Sequence, residues 1–172
     1  LLLNNLSLVY YKLGEMHRYV ETQMQALDHA VERSDYGHQL RIYRNLHIYF
    51  RETGNRELAL QYMERAVELA EESGTENDLA SLLISRAVFH DRYLSQPDQA
   101  LSYLQEAEEL LESTTDYRLQ VRILSERAEL LRSRGALDRS REIYRQVYSI
   151  GALNSNSPML LAVEVRQRDV GQ

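Results

Sequence analysis

One three-residue pattern returns along the chain at an almost constant interval, and a period of this length leaves few folds open. Asn5-Leu6-Ser7, Asn45-Leu46-His47, Ser85-Arg86-Ala87 and Glu126-Arg127-Ala128 align, with their third members 40, 40 and 41 residues apart. A glycine follows three of them at the same offset of seven: Gly14, Gly54 and Gly135. The third copy carries the turn Ser95-Gln96-Pro97-Asp98 instead, one residue longer, which accounts for the 41. After each turn a second segment begins, at Tyr19-Val20, Ala59-Leu60, Ala100-Leu101 and Ser140-Arg141. Ala26, Ala66, Ala107 and Val147 follow further on.

Apolar residues in these segments fall at i, i+3, i+4 and i+7, the spacing that lines one face of a helix, and no strand-type alternation occurs. Each repeat therefore reads as helix, tight turn, helix. The three glycines stand where a helix ends in a left-handed residue, a conformation only Gly adopts cheaply. Pro97 suits the first turn of a helix, and Asp98 is favourable against the dipole there. The linkers Ser34-Asp35-Tyr36-Gly37, Ser73-Gly74-Thr75 and Ser113-Thr114-Thr115-Asp116 carry turn and capping residues. The pattern predicts helices near 1–13, 17–33, 37–53, 56–72, 76–94, 97–112, 116–134 and 137–149. Residues 151–157 read as a loop, and Pro158 opens a last helix to about Arg168. The repeats occupy about 1–35, 36–75, 76–115 and 116–150 of a single domain, with 157–168 capping the fourth or beginning another.

These residues resemble the tetratricopeptide repeat. Ser7, Ala87 and Ala128 are small where the helices of a pair cross, the turn glycines follow, and Ala59/Ala66 and Ala100/Ala107 stand in the second helix. Leu46 through Ala66 matches best. His47 departs at a normally small crossing position, and Tyr19 and Ser140 replace the usual Ala. The long period is similar to the repeats of bacterial regulatory and signalling proteins: peptide-pheromone receptors, large transcriptional activators and regulatory arms of signalling enzymes. The resemblance implies an all-α fold, a right-handed α-solenoid of antiparallel helix pairs with first helices lining a concave groove. It also implies binding of peptides or proteins.

Composition narrows the function. Among 172 residues there is no Cys, which excludes disulfides, thiolate zinc sites and cysteine nucleophiles. No apolar run approaches the roughly 20 residues of a membrane span, so no membrane insertion is expected. The chain begins Leu1-Leu2-Leu3 without Met and reads as an excised fragment, with a cytoplasmic setting expected. Net charge is −6, but residues 52–116 hold 15 acids against 4 Arg while 118–145 hold 8 Arg against 4 acids. The overall balance disfavours nucleic acid as a partner. His17, His29, His38, His47 and His90 form no metal-ligand spacing and read as exposed or helix-crossing residues. No phosphate-binding loop or nucleophile elbow occurs. No enzyme activity, metal or cofactor is expected. Tyr62, Tyr103 and Tyr144 recur on second helices and read as packing with a hydroxyl reaching solvent.

The first-helix register places Arg41, Arg44, Ile48 and Arg51 of the second repeat toward the groove, with Tyr11 of the first and Arg122 and Arg132 of the fourth. Arginine forks suit carboxylates. Asn5 and Asn45 stand at equivalent sites able to contact a peptide backbone; with Arg41 they resemble part of the carboxylate clamp of chaperone-binding tetratricopeptide domains. Ser85 and Glu126 break that match. The expected function is a noncatalytic scaffold whose basic groove takes an acidic peptide or protein segment. The alternative is a regulatory or self-association segment, as a homodimer, of a larger bacterial signalling or transcription-regulating protein.

Overall fold

The computed structural model describes residues 2–111 and 116–153. Among them are eight α-helices and no strand: α1 (Leu2–Leu13), α2 (Met16–Glu32), α3 (Tyr36–Glu52), α4 (Arg56–Ser73), α5 (Glu76–Leu94), α6 (Pro97–Leu110), α7 (Tyr117–Ser133) and α8 (Leu137–Leu153). One expectation is corrected. Gly151, Ala152 and Leu153 continue α8 rather than opening a loop, and Gly151 is buried there. The linker at 113–115, the rest of the expected 154–157 loop and the helix expected from Pro158 lie outside the described residues.

The turns follow from local chemistry. Gly14, Gly54 and Gly135 sit at φ +76°, +80° and +78°. The Glu15 N–H donates to Tyr10 O at 2.9 Å, and the Ala136 N–H to Leu131 O at the same distance, closing these helix ends in Schellman fashion. Where glycine is missing, serine takes the left-handed position: Ser95 at φ +56° in the third repeat, and Ser34 at φ +52° between the first two. The strained Ser95 turn has extra support. Gln96 donates its N–H to His90 O at 2.9 Å, and His90 Nδ1 lies 2.8 Å from Gln96 Oε1. His90 is thus a buried turn clasp, neither exposed nor at a crossing as its sequence position suggested. Asp35, Asn55 and Asp116 cap α3, α4 and α7 by accepting from the backbone N–H of His38, Leu58 and Arg118.

The helices gather into two compact units, Leu1–Thr75 and Glu76–Gln172. In the first, α1 packs on α2 and α3 on α4, and α2 joins the pairs. Its core is Leu27, Ala30, Ile42 and Leu46, flanked by Val20, Tyr43, Phe50 and Tyr62. The second unit repeats the plan with α5/α6 and α7/α8, around Leu83, Ile84, Leu104, Leu111, Ile123 and Leu130, and a smaller cluster of Val121, Ala128, Tyr144 and Val147. Each fully buried Leu or Ile contributes about 2 kcal/mol of hydrophobic stabilisation.

Within each pair, the crossing point joins the helices through small or hydrogen-bonded residues. Ser7, Ala87 and Ala128 are buried, as are Ala59, Ala100 and Ser140 opposite. Ser140 donates to Ala128 O at 2.8 Å, Gln23 donates to Ser7 Oγ at 3.0 Å, and His47 Nδ1 reaches Ala59 O at 2.9 Å. His47, 3% exposed, is therefore accommodated at a normally small site by bonding the facing backbone. Tyr144 is also fully buried, and its hydroxyl donates to Glu129 Oε1 at 2.7 Å rather than reaching solvent.

Two outcomes are expected. Gly54→Ala, at a positive φ where the added Cβ meets nothing within 4 Å, should cost about 1 kcal/mol from backbone strain alone, and Ser95→Gly should stabilise the chain; urea unfolding of both variants checks the pair. Burial pushes the His47 pKa below its ordinary value, with the Arg51 charge adding to the effect. The unfolded chain then binds the proton first, so stability should fall as pH drops below about 6.5. His47→Gln should flatten that slope in unfolding measurements across pH.

Candidate functional site

The first and second units differ in how neighbouring first helices meet. In the second unit α5 and α7 pack directly, whereas among the described residues α1 and α3 make no close backbone approach. The cause lies in Tyr19, which occupies the crossing position held by Ala59, Ala100 and Ser140 in the other pairs. Its ring inserts between Tyr11 of α1, at a centroid distance of 5.4 Å, and Tyr49 of α3, at 5.3 Å. A phenol ring where a methyl group would do holds α1 and α3 apart. The space left is a cavity of about 330 Å³.

Leu8, Tyr11, Tyr19, Ile48 and Tyr49 form its apolar and aromatic walls, with polar groups from Ser7, Gln23, Arg41 and Asn45. That combination, apolar walls with a few convergent polar groups, is the usual make-up of a ligand pocket. Tyr19 is 7% exposed, and its pKa is pushed up to about 12, first by burial and then by the charges of Tyr11, Glu52 and Tyr49, with the Gln23 amide offsetting part of the effect. The Tyr11 hydroxyl donates to Glu52 Oε2 at 3.1 Å across from α1 to the end of α3, and that bond raises its pKa too. Both tyrosines are neutral hydroxyls at physiological pH.

Of the groove residues expected from sequence, Tyr11, Arg41, Asn45 and Ile48 line this cavity together. Asn5 and Arg44 are exposed on α1 and α3 but do not line it. Arg51 is half-buried and pairs with Glu52 at 3.8 Å. In the second unit, Arg122 donates to Ser81 and Ser85 hydroxyls at 3.2 and 3.1 Å, and Arg132 clasps Glu129 at 2.8 Å. Arg92 likewise pairs with Glu126 at 2.9 Å. These second-unit arginines are held by their own neighbours, while Arg41 and Arg44 make no hydrogen bond or ion pair among the described residues. Gln23, Tyr19 and Tyr49 are additions that the first-helix register did not single out. The signal for Tyr19 was present as its departure from a small residue; Gln23 and Tyr49 depend on how α2 packs across α1 and α3. Among the described residues no group of three or more His, Asp or Glu side chains could hold a metal ion, and no helix is long and apolar enough to cross a membrane.

Residues 41–73 match the family model of the tetratricopeptide repeat. Solved structures with the same architecture include BtubC (BKLC) from P. vanneervenii, with 17% identity, a TM-score of 0.73 and coverage of 98% of this chain and 78% of that one. A candidate kinesin light chain from Podosopora anserina with nearly identical TPR-like repeats is similar at 18% identity and a TM-score of 0.73, covering 98% and 83%. A singly substituted form of that same protein gives 18% identity, a TM-score of 0.75, and coverage of 98% and 82%. At these identities the likeness concerns the fold. No curated protein matches the chain in sequence.

The Tyr19 environment sets a measurable signature. Its folded pKa lies above the unfolded value, so the folded chain retains the proton longer and stability should fall as pH rises from about 10 to 12, on the order of 1 kcal/mol per pH unit. Tyr19→Phe should remove that slope and one late-titrating phenol from the ultraviolet titration curve.

Proposed function

Because the chain carries a tetratricopeptide repeat and has the tetratricopeptide-like helical-repeat fold, we propose that it is a noncatalytic scaffold that binds an acidic peptide or protein segment along the first-helix face of its first unit. The observation that carries this reading is the placement of Arg41 and Asn45 beside an aromatic cavity, with Arg41 and Arg44 free of ion pairs among the described residues. Among the described residues Arg41 feels Asp35 only through its charge, without a hydrogen bond or close ion pair, and a guanidinium fork left open in this way suits a ligand carboxylate in bidentate geometry. The Asn45 amide offers both a donor and an acceptor to a peptide backbone. The cavity beside them accepts an apolar side chain, and burying it supplies the hydrophobic part of the affinity. Arg51, Arg122 and Arg132 contribute less, since a ligand must first displace Glu52, the Ser81 and Ser85 hydroxyls, or Glu129.

A second reading is self-association within a larger bacterial signalling or transcription-regulating protein. It is supported by the apolar ridge of Leu6, Val9 and Leu13 on α1, which are 42%, 49% and 65% exposed. Light scattering across concentration separates the two: a stable dimer indifferent to peptides favours the second.

The test of the first is a titration with a fluorescein-labelled, end-blocked peptide Glu-Glu-Leu-Asp-Glu. Binding should weaken with salt. Combined Arg41→Ala and Arg44→Ala should lower affinity about tenfold or more and flatten the salt dependence. Combined Arg122→Ala and Arg132→Ala should change it little; equal losses in both double variants would reject the assignment to the first unit.

A further inference from the structure

We propose that the segment bound along the first unit is bipolar: an acidic residue at its Arg41 end, an apolar residue in the cavity, and a lysine or arginine at its Glu52 end. This deepens the peptide-binding reading above and rests on it. Arg41, Asn45, Ile48 and Glu52 follow one another on α3 at steps of four, three and four, which sets them in one line along the helix. The first three line the cavity. Glu52 ends the line as the last residue of α3, and its Oε2 accepts at 3.1 Å from the hydroxyl of Tyr11, itself a cavity wall. Its negative charge is felt inside the cavity, where it helps to raise the pKa of both Tyr11 and Tyr19.

The two ends of this line therefore ask for opposite charges. At one end the Arg41 guanidinium suits a carboxylate. At the other, the Glu52 side chain is half exposed, gives one oxygen to Tyr11, and has Arg51 no nearer than 3.8 Å to the second. A carboxylate offers about four acceptor sites, so Glu52 keeps capacity for a ligand ammonium or guanidinium and repels a ligand carboxylate. Across the cavity α1 carries no acid, and its one base, Lys12, forms no ion pair with Glu52 among the described residues. The facing helix thus leaves both charges in place. The spacing follows from the helix: the 11 steps from Arg41 to Glu52 rise about 16 Å. An extended segment advances about 3.3 Å per residue, so about five residues separate its acid from its base, with the apolar residue between them. A uniformly acidic segment satisfies Arg41 but meets like charge at Glu52.

The experiment titrates the full chain into three fluorescein-labelled, end-blocked peptides: Glu-Glu-Ser-Leu-Ser-Lys, Lys-Ser-Leu-Ser-Glu-Glu and Glu-Lys-Ser-Leu-Ser-Glu. They share one composition and one net charge, so only the placement of the lysine differs. The first two separate acid from base in the two chain directions; the third has an acid at each end. The better of the first two should bind about threefold to fivefold more tightly than the third, the scale of one exposed ion pair together with relief of a like charge. Glu52→Gln removes the charge and keeps an acceptor for the Tyr11 hydroxyl, so that advantage should vanish, with circular dichroism confirming the fold. The ligand-side comparison needs no variant and decides the matter even if Glu52→Gln misfolds. Equal binding of all three peptides to the unaltered chain would overturn the bipolar assignment, as would an advantage that survives in folded Glu52→Gln; if binding still fell with Arg41→Ala, the peptide-binding reading would stand without it. Failure of every peptide, Glu-Glu-Leu-Asp-Glu included, would overturn both.

Discussion

The helix-pair crossing is the contact on which the rest of the structure depends. Two helices can approach closely only where the facing residues are small or where a larger one finds a bond across the gap. Ala87 against Ala100 meets the first condition, and His47 against the Ala59 carbonyl meets the second. The first pair follows neither rule fully. Ser7 is small, but Tyr19 stands opposite and projects between α1 and α3, and the space this leaves is the cavity. One larger residue at a structural position thus turns a packing site into a cavity wall, because core packing has no slack to absorb a phenol ring in place of a methyl group.

The two units also divide the charge differently. Arginine is abundant in both, yet the arginines of α7 face acids or hydroxyls within reach: Arg122 the serines of α5, Arg127 Glu108, and Arg132 Glu129. These partially exposed pairs contribute little stability each, but they occupy the guanidinium forks. Arg41 and Arg44 have no such neighbour on α1, which carries no acid at all. Local surroundings, rather than the count of basic residues, therefore separate Arg41 and Arg44 from the arginines whose forks are already occupied.

Much of the fold was legible in the linear pattern. Positive-φ glycines, caps and helical periodicity are local properties, so the eight helices fall within a few residues of their expected bounds. The exceptions are informative. Gly151 inside α8 reads as a breaker by propensity, and tertiary burial overrides it. The Tyr144 hydroxyl reads as solvent-directed from its second-helix position, and Glu129 on the neighbouring helix claims it. His90 reads as a lone histidine, and only the path of the turn brings Gln96 back to it.

The sequence by itself determined the repeat, its helices and turns, and the residues at each crossing, because these depend on the periodicity of side chains along a helix and on backbone torsions. It also placed Tyr11, Arg41, Asn45 and Ile48 on one face. Only the tertiary structure decided which arginines are already paired, that α1 and α3 stand apart, and that Gln23 from a second helix lines the cavity between them. Those outcomes depend on distances between side chains far apart in the chain, and such distances are set by how bulky residues pack, which no local pattern encodes.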